Sequence, residues 1–349
     1  MTKKSCEFKN NKHKKNNKKN KGYNKKLKSR KWKVFSLFVI FQIAFGIITA
    51  PFIIYYGPFN NIKTSLVGAA MTSLNHQYLA TAFLSNEKIK EILSQNKVED
   101  IKQDTKNSKI TLPKKHNDKI ELFEVKGKKF NGYMLVVSDP TRVKIGYTSK
   151  LNKEGQTTSQ IAKQSNAIAA INGGGFTDKS ATSTWTGNGG TPIGVIMTNG
   201  KKIFNSLKDD EKTDMMAITD EGRLLVGKYS YDNLKNLNAK EALSFGPPLV
   251  VNGQPTITTG DGGAGIASRT AIGQREDGAM LLLVVDGRSI NSIGATWKEI
   301  QDVMIQYGAI NAINLDGGNS TTMYYNDEIV NNPSDHLGER SIPSVVMVK

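Results

Sequence analysis

The feature that most constrains the fold of this chain is an uncharged run of 23 residues, Val34–Tyr56, with the sequence VFSLFVIFQIAFGIITAPFIIYY. At a rise of about 1.5 Å per residue, a helix of this length matches the hydrocarbon core of a bilayer, which is about 30 Å thick. A cleaved signal peptide usually has a shorter apolar core of about 7–15 residues before a small-residue cleavage site. No clear site of that kind follows here, so the sequence predicts one transmembrane helix over 34–56.

Charge is distributed unevenly on the two sides of this run. Residues 1–33 carry a net charge of +14, whereas the other 316 residues carry only +3. Because Lys and Arg are enriched on the cytoplasmic side of a span, we expect a cytoplasmic N-terminus and an extracellular location for everything after Gly57. The Lys/Asn-rich composition of 1–33 predicts a disordered tail, whose residues 3–33 would contact anionic membrane lipids. The nearly neutral remainder argues against a nucleic-acid partner.

Residues 57–118 are predicted to form a helical stalk and a linker. Thr64–Asn86 is a second uncharged stretch, but its Asn, His and Gln residues make it a poor second span. A helix beside the membrane is the preferred interpretation, since a second crossing would return the C-terminus to the cytoplasm. A further helix is expected from Asn86, as an N-cap, to Gln95, and the polar composition of Lys97–Asp118 is typical of a linker.

The pattern changes at Lys119. From here, short β-rich runs separated by Gly, Asp-Pro and Lys turns predict strands. These runs cover 120–126, 133–138, 143–148, 167–172, 193–198, 215–219, 223–227, 248–251, 270–274, 280–285, 309–315, 322–325 and 344–348. Two capping boxes, Thr157-x-x-Gln160 and Thr296-x-x-Glu299, predict helices. We therefore expect residues 119–349 to form one α+β domain, a mixed sheet dominated by strands with a few helices.

Two segments of this domain, 160–177 and 302–320, resemble each other. Each contains a helix, a strand with the sequence AIAAIN or AINAIN, and a glycine-rich loop. Glycines after such strands let backbone N–H groups approach an anion closely. The repeat predicts that the two loops lie side by side at one end of a sheet, although a six-residue match also fits a chance usage of Ala, Ile and Asn.

The inventory of reactive side chains excludes several kinds of site. The only cysteine, Cys6, lies in the basic tail, and His116 and His336 are the only histidines after the stalk. Cys-His nucleophiles and thiolate zinc sites are therefore excluded, and a Ser-His-Asp triad is disfavoured. The chain also lacks the G-x-x-x-x-G-K-[ST] motif of nucleotide-binding loops. Carboxylates and arginines remain, and these suit sugar or phosphodiester chemistry.

Four segments, in this order along the chain, resemble the phosphodiester glycosidase family: INGGGF (171–176), SRTAIG (268–273), VVDGR (284–288) and INLDGGNSTTM (313–323). The resemblance covers about 119–349, and the anchor and stalk are similar to those of exopolysaccharide-associated bacterial members. It implies a hydrolase that cleaves the glycosidic C–O bond of a sugar-1-phosphodiester. Asn319 departs from the Gly or Ser of many relatives, which puts the shape of its loop in doubt. No cofactor is required, and a divalent cation stays open.

The resemblance and the residue types together assign roles to the candidate site. Asp316 is the first candidate for a catalytic base or nucleophile, and Asp286 is the second. Arg269 and Arg288 would stabilise the departing phosphate, assisted by loop amides. The expected substrate-binding residues lie in the glycine-rich loops or beside Arg269, and they are Asn172, Gly173, Gly174, Gly175, Phe176, Thr270, Gly317, Gly318, Ser320 and Thr321.

Two alternatives remain open from the sequence. The same arginines and glycine loops would serve a non-catalytic module that binds envelope polysaccharide and assists its assembly. Alternatively, Asp286 and Asp316 would bind a hard cation in a metal-dependent phosphodiesterase. In each case the expected partner is a carbohydrate or sugar-phosphate polymer, and the expected location is the cell membrane with a single span.

Overall fold

The computed structural model describes residues 31–73, 76–105, 108–177, 188–335 and 337–349, which divide into two compact units, Met1–Lys63 and Thr64–Lys349. The tail predicted to be disordered lies outside the described residues up to residue 30. The helices are α1 Lys31–Tyr56, α2 Asn60–Thr72, α3 Tyr78–Thr81, α4 Asn86–Leu93, α5 Thr158–Gln164, α6 Tyr231–Asn236 and α7 Trp297–Gln306.

The strands begin at Lys97 and continue almost to the last residue, Lys349. They are β1 Lys97–Val98, β2 Ile120–Lys126, β3 Asn131–Val137, β4 Val143–Tyr147, β5 Ala169–Asn172, β6 Phe176–Thr177, β7 Thr191–Pro192, β8 Val195–Thr198, β9 Lys201–Asn205, β10 Thr213–Thr219, β11 Leu224–Tyr229, β12 Ala239–Ser244, β13 Pro248–Val251, β14 Gln254–Pro255, β15 Ile257–Thr259, β16 Arg269–Arg275, β17 Met280–Val285, β18 Ala309–Leu315, β19 Met323–Tyr325, β20 Glu328–Ile329 and β21 Ser344–Val348.

Helix α1 is the one helix among the described residues that is long and apolar enough to cross a membrane. Its large apolar side chains are exposed on all sides, as at Phe35, Phe41 and Ile47. An apolar surface around a whole helix needs an apolar surrounding. The second uncharged stretch does not form a comparable helix, because α2 ends at Thr72 and α3 covers only four residues.

Three antiparallel sheets build the second unit. The largest has seven strands in the order β14-β13-β18-β16-β17-β3-β2, and the other two have five strands each, in the orders β11-β10-β12-β8-β9 and β20-β19-β5-β21-β4. Two-stranded ladders join β1 to β15 and β6 to β7. The α+β class with a majority of strands, as predicted, is therefore confirmed.

The central core lies where the inner faces of the three sheets meet. Leu282 of β17, Ile171 of β5 and Met216 of β10 come from different sheets and belong to this one cluster. The alternate side chains of β17, including Leu281 and Leu283, pack on the other face against α7. A strand that is buried on both faces needs a continuous apolar run, which explains the sequence MLLLVV.

Local helix signals were largely correct. Both predicted capping boxes are present, at Thr157 for α5 and at Thr296 for α7. The N-cap of α4 is Ser85 rather than Asn86, because the Ser85 hydroxyl accepts a hydrogen bond from the Lys88 N–H. Helix α6 was not predicted, although it also begins with a capping box.

Every predicted β-rich run coincides with a strand, whereas β9, β12 and six strands of two or three residues were missed. The sequence of β12, AKEALS, has the composition of a helix, and it carries a carboxylate. Glu241 is only 1% exposed, and its two oxygens accept hydrogen bonds from the Ile145 N–H at 2.9 Å and the Asn199 N–H at 3.1 Å. Burial against two other segments, rather than local propensity, therefore makes this a strand.

Residues 97–118 differ from the predicted linker. Strand β1 pairs with β15, and Gln103 is buried beside the outer strand β11. The Gln103 amide donates to the Leu224 carbonyl at 3.0 Å and accepts from the Val226 N–H at 2.7 Å. The segment is therefore packed on the sheets as part of the second unit.

We predict that Gln103→Ala lowers the free energy of unfolding by about 2 kcal/mol, because it leaves the Val226 N–H buried without this acceptor. A urea titration followed by circular dichroism measures the change. Gln95→Ala, just before this segment, is the matched control; Gln95 is exposed, so its effect should stay below about 0.5 kcal/mol. If the two variants were equally stable, Gln103 would not be what holds this segment on the sheets.

Candidate functional site

A cavity of about 310 Å³ opens where β16 begins and β18 ends, and three arginines and one carboxylate line it. Arg269 is the first residue of β16, and Asp316 directly follows β18. Arg288 and Arg340 reach the same cavity from separate loops. We call this the cationic cavity.

The two glycine-rich loops of the sequence repeat meet at this cavity. The Asp316 N–H donates to the Gly173 carbonyl at 3.1 Å, so the loops lie side by side as predicted, but their strands β5 and β18 belong to different sheets rather than to one. The Asn172 amide donates to the Asp316 carbonyl and accepts from the Thr270 hydroxyl and the Thr322 N–H. Asn172 is fully buried, so it positions the two loops instead of holding a sugar hydroxyl as expected.

Arg269 is held by the backbone around it. Its Nη2 donates to the carbonyls of Ala264 and Gly265, and its Nε donates to the Ala295 carbonyl at 3.0 Å. The guanidinium also lies 5.6 Å from the centre of the Trp297 ring. Because Nη2 donates to these two carbonyls of the glycine-rich segment DGGAG (261–265), which we call the DGGAG loop, Arg269 does not present its whole guanidinium edge to a phosphate. Burial lowers the pKa of Arg269 to about 10, which still leaves it charged at neutral pH.

Arg288 is held by the side-chain amide of Asn319, the residue that departs from the Gly or Ser of many relatives. Its Nη1 donates to Asn319 Oδ1, and Asn319 Nδ2 donates in turn to Asp335 Oδ2 at 3.1 Å. Burial, followed by the charge of Arg340, lowers the pKa of Arg288, and Asp335 acts in the opposite direction. Asn319 thus connects a cation to a carboxylate, which a glycine at this position would not do.

Arg340 is the cavity residue that the sequence reasoning missed. Its guanidinium lies 4.8 Å from the centre of the Phe176 ring, so Phe176 supports this arginine rather than a ligand. The position lies in the segment ERSIPSVVMV (339–348), after the last of the four motifs. Three arginines around one small volume repel one another, and a bound anion would relieve that repulsion.

Asp286 is not brought into the cationic cavity, contrary to the expectation that it faces Asp316 there. Its Oδ1 accepts from the Asn331 amide at 2.9 Å and from the Asn332 N–H at 3.0 Å. Burial raises the pKa of the Asp286 carboxyl. These contacts hold the 331–332 segment against the end of β17.

The amides of the first glycine-rich loop are already engaged. Gly173 N–H donates to the Ser344 carbonyl at 2.9 Å, and Gly174 N–H donates to the Ser344 hydroxyl at 3.1 Å. These N–H groups are therefore not placed to donate to an anion, contrary to the expectation that loop amides assist the arginines. Gly175 lines a neighbouring apolar pocket instead.

The remaining predicted residues divide between the surface and the interior. Gly317 and Gly318 line the cationic cavity. Thr270, Ser320 and Thr321 are buried beneath it and lie outside its lining. The hydroxyls expected to contact a sugar therefore support the loops from below.

Part of the predicted stalk also forms the site. Ala69, Thr72 and His76 line the cationic cavity next to the DGGAG loop. Helix α2 approaches the DGGAG loop closely, because a Cβ added at Gly68 would lie 2.5 Å from the Gly263 carbonyl oxygen. The Ser65 hydroxyl donates to Asp261 Oδ2 at 2.7 Å. No charge or motif in the sequence signalled this contact; Gly68 was the only local hint.

Metal binding finds little support in the described residues. No group of three or more His, Cys, Asp or Glu side chains in the described ranges is arranged to hold an ion. The metal-dependent alternative needs Asp286 and Asp316 as joint ligands, and only Asp316 lines the cavity.

Comparison with known proteins places these features in a family. A sequence profile described as Phosphodiester glycosidase matches residues 165–349. The chain is 28% identical over 218 residues to the SPbeta prophage-derived uncharacterized protein YomE of Bacillus subtilis (strain 168), which covers 60% of this chain and 31% of that protein. It is 27% identical over 220 residues to N-acetylglucosamine-1-phosphodiester alpha-N-acetylglucosaminidase of Bos taurus, covering 56% and 40%. The matched region spans less than half of each of these relatives.

One solved structure shares the fold. It is the zebrafish N-acetylglucosamine-1-phosphodiester alpha-N-acetylglucosaminidase catalytic domain, auto-inhibited by pro-peptide, with a TM-score of 0.56, 22% identity, and coverage of 73% of this chain and 88% of that one. The profile match takes in more than half of the chain and includes Asp316 and all three arginines of the cationic cavity. The chain belongs to the phosphodiester glycosidase family.

Proposed function

We propose that this chain is a membrane-anchored hydrolase that cleaves the glycosidic C–O bond of a sugar-1-phosphodiester in the cell envelope or in exopolysaccharide. The observation that carries the proposal is the joint presence of Asp316 and three arginines in one cavity of about 310 Å³. A carboxylate acts at the anomeric carbon, and clustered cations stabilise a departing phosphate. The bovine relative is named for its action on an N-acetylglucosamine-1-phosphodiester, which supports a sugar-1-phosphodiester as the substrate class.

In this mechanism, Asp316 either removes a proton from the attacking water or attacks the anomeric carbon itself. The bond between that carbon and the phosphate oxygen breaks, and its electron pair leaves with the phosphate monoester. Arg288 and Arg340 stabilise the charge that develops on the leaving group, while Arg269 adds to the positive field. Because phosphate leaves readily, a strong general acid is less necessary than in ordinary glycosidases.

The anchoring part of the proposal concerns α1. As a single span it would place the N-terminus in the cytoplasm and the domain predicted over 119–349 outside the cell. Residues 3–33 would then contact anionic lipid headgroups. The apolar, exposed surface of Lys31–Tyr56 supports this arrangement.

Phosphate-monoester release from a panel of sugar phosphodiesters and UDP-sugars, assayed with the full chain, tests the activity. Release supports the hydrolase. Tight binding without release would overturn it in favour of the polysaccharide-binding alternative, and loss of release in chelator would favour the metal-dependent one.

Asp316→Asn should abolish hydrolysis, with kcat reduced by about a thousandfold or more, because the amide neither accepts the proton nor attacks the anomeric carbon. The thermal midpoint should hardly change, since Asn has nearly the same shape as Asp and the backbone bonds of Asp316 to Gly173 and Asn172 are kept. Asp210→Asn, at an exposed position, is the control. Full activity of Asp316→Asn would show that another group performs the chemistry.

Arg288→Gln should lower kcat/KM for a sugar phosphodiester by about 10- to 100-fold, because it removes a charged donor from the cationic cavity. Arg275→Gln is the matched control, since Arg275 pairs with Asp277 on the surface. Steady-state kinetics of the two variants decide the question. A kcat/KM that is equal in both would remove Arg288 from the site.

Asp286→Asn should keep activity and cost less than about 1 kcal/mol of stability, because an amide oxygen replaces the accepting Oδ1. Asp286→Ala should cost about 2 kcal/mol, because it leaves the two donors buried without an acceptor. Urea unfolding and the hydrolysis assay check both. A folded but inactive Asp286→Asn variant would restore Asp286 as a catalytic residue or a metal ligand.

A further inference from the structure

We propose that the substrate is amphiphilic, a sugar-1-phosphodiester whose second ester group is the hydrocarbon chain of a lipid alcohol. This inference rests on the proposed function and names the substrate class for the same site. It follows from an apolar pocket of about 500 Å³ that shares Phe245 and Trp297 with the cationic cavity. We call it the apolar pocket.

Two aromatic side chains line both compartments. Phe245 and Trp297 line the cationic cavity on one side and the apolar pocket on the other. Beyond them, the apolar pocket is lined by Val98, Ile193 and Leu207, among others. A ligand bound across the two rings would therefore place its ends in different surroundings.

Close backbone contacts hold both rings in place. A Cβ at Gly175 would lie 3.1 Å from the Phe245 ring, so the glycine allows the ring to pack there. A Cβ at Gly262 would lie 2.7 Å from Trp297 Cβ, and the ring of Trp297 also lies against Arg269. The two rings that line both compartments thus pack against two glycine-containing loops.

The two compartments differ in the charge of the side chains that line them. Three arginines line the cationic cavity, whereas Asp214 is the only ionisable side chain among the described residues that line the apolar pocket. Burial raises the pKa of Asp214, and this effect exceeds the opposing influence of Lys228. A phosphate therefore belongs in the first compartment, and a hydrocarbon belongs in the second.

A lipid alcohol fits this arrangement better than a second sugar, because the apolar pocket offers little to bind several hydroxyls. Ile193 is 49% exposed, and burial of such a surface against a hydrocarbon is favourable. A membrane-spanning α1 would also hold the enzyme where lipid-linked sugar phosphates reside.

The test compares two esters of N-acetylglucosamine-1-phosphate, the methyl ester and the hexyl ester, with the full chain in lipid nanodiscs. Each buried CH₂ is worth roughly fourfold in affinity, so partial burial of the longer chain should lower KM by at least about tenfold. The double variant Ile193→Asn/Leu207→Asn should reduce this preference to within about twofold.

Ile305→Asn is the matched control, because Ile305 is 41% exposed on α7 and lies outside the lining of both compartments. It should keep the full preference, which separates pocket binding from partition of the hexyl ester into the lipid. Circular dichroism confirms that the variants fold.

Three results would overturn the inference. Equal KM values for the two esters would overturn it while leaving the proposed function intact. A preference that survives in the double variant would show that the hydrocarbon binds elsewhere. If neither ester is hydrolysed, the proposed function fails, and the substrate class fails with it.

Discussion

The candidate site depends on one buried amide. The side chain of Asn172 connects the end of β5 to the backbone after β18, to Thr270 of β16 and to the start of β19, and it is fully shielded from water. Stability falls when a buried amide loses its hydrogen-bond partners, because no water is there to replace them. These segments are therefore held in one arrangement. Asp316 and Arg269 reach the same cavity because β16 and β18 are antiparallel neighbours with Thr270 opposite Leu315, and the amide ties the end of β5 to this pair.

The arginines of the cavity are held mainly by neutral groups. Backbone carbonyls fix Arg269, and the Asn319 amide fixes Arg288. Neutral partners orient a guanidinium without cancelling its charge, so the positive field remains directed at the cavity. Such preorganisation is what stabilises charge that develops during a reaction, because little reorientation is needed when that charge appears.

The sequence predicted the features that depend on local pattern. Strands buried on both faces, such as β17, show as continuous apolar runs, and capping boxes at Thr157 and Thr296 need only neighbouring residues. What it did not predict depends on distant partners. Asp286 and Asp316 occupy similar positions after apolar strands, yet Asn331 and Asn332 turn the first carboxylate away from the cavity. Helix α2 was likewise assigned to a stalk, because nothing in its nearly uncharged sequence indicates the loop that it covers.

The contact between Gly68 and the DGGAG loop has a practical consequence for work on the isolated domain. A recombinant fragment cut at the boundary suggested by composition, near residue 119, would lack Ser65, Thr72 and His76 along with the helix that carries them. Its cavity would be wider on that side, and Asp261 would lose a hydrogen-bond donor. Kinetic constants from such a truncated species would describe a different aperture, so fragments intended for ligand soaking or screening should begin no later than Thr64.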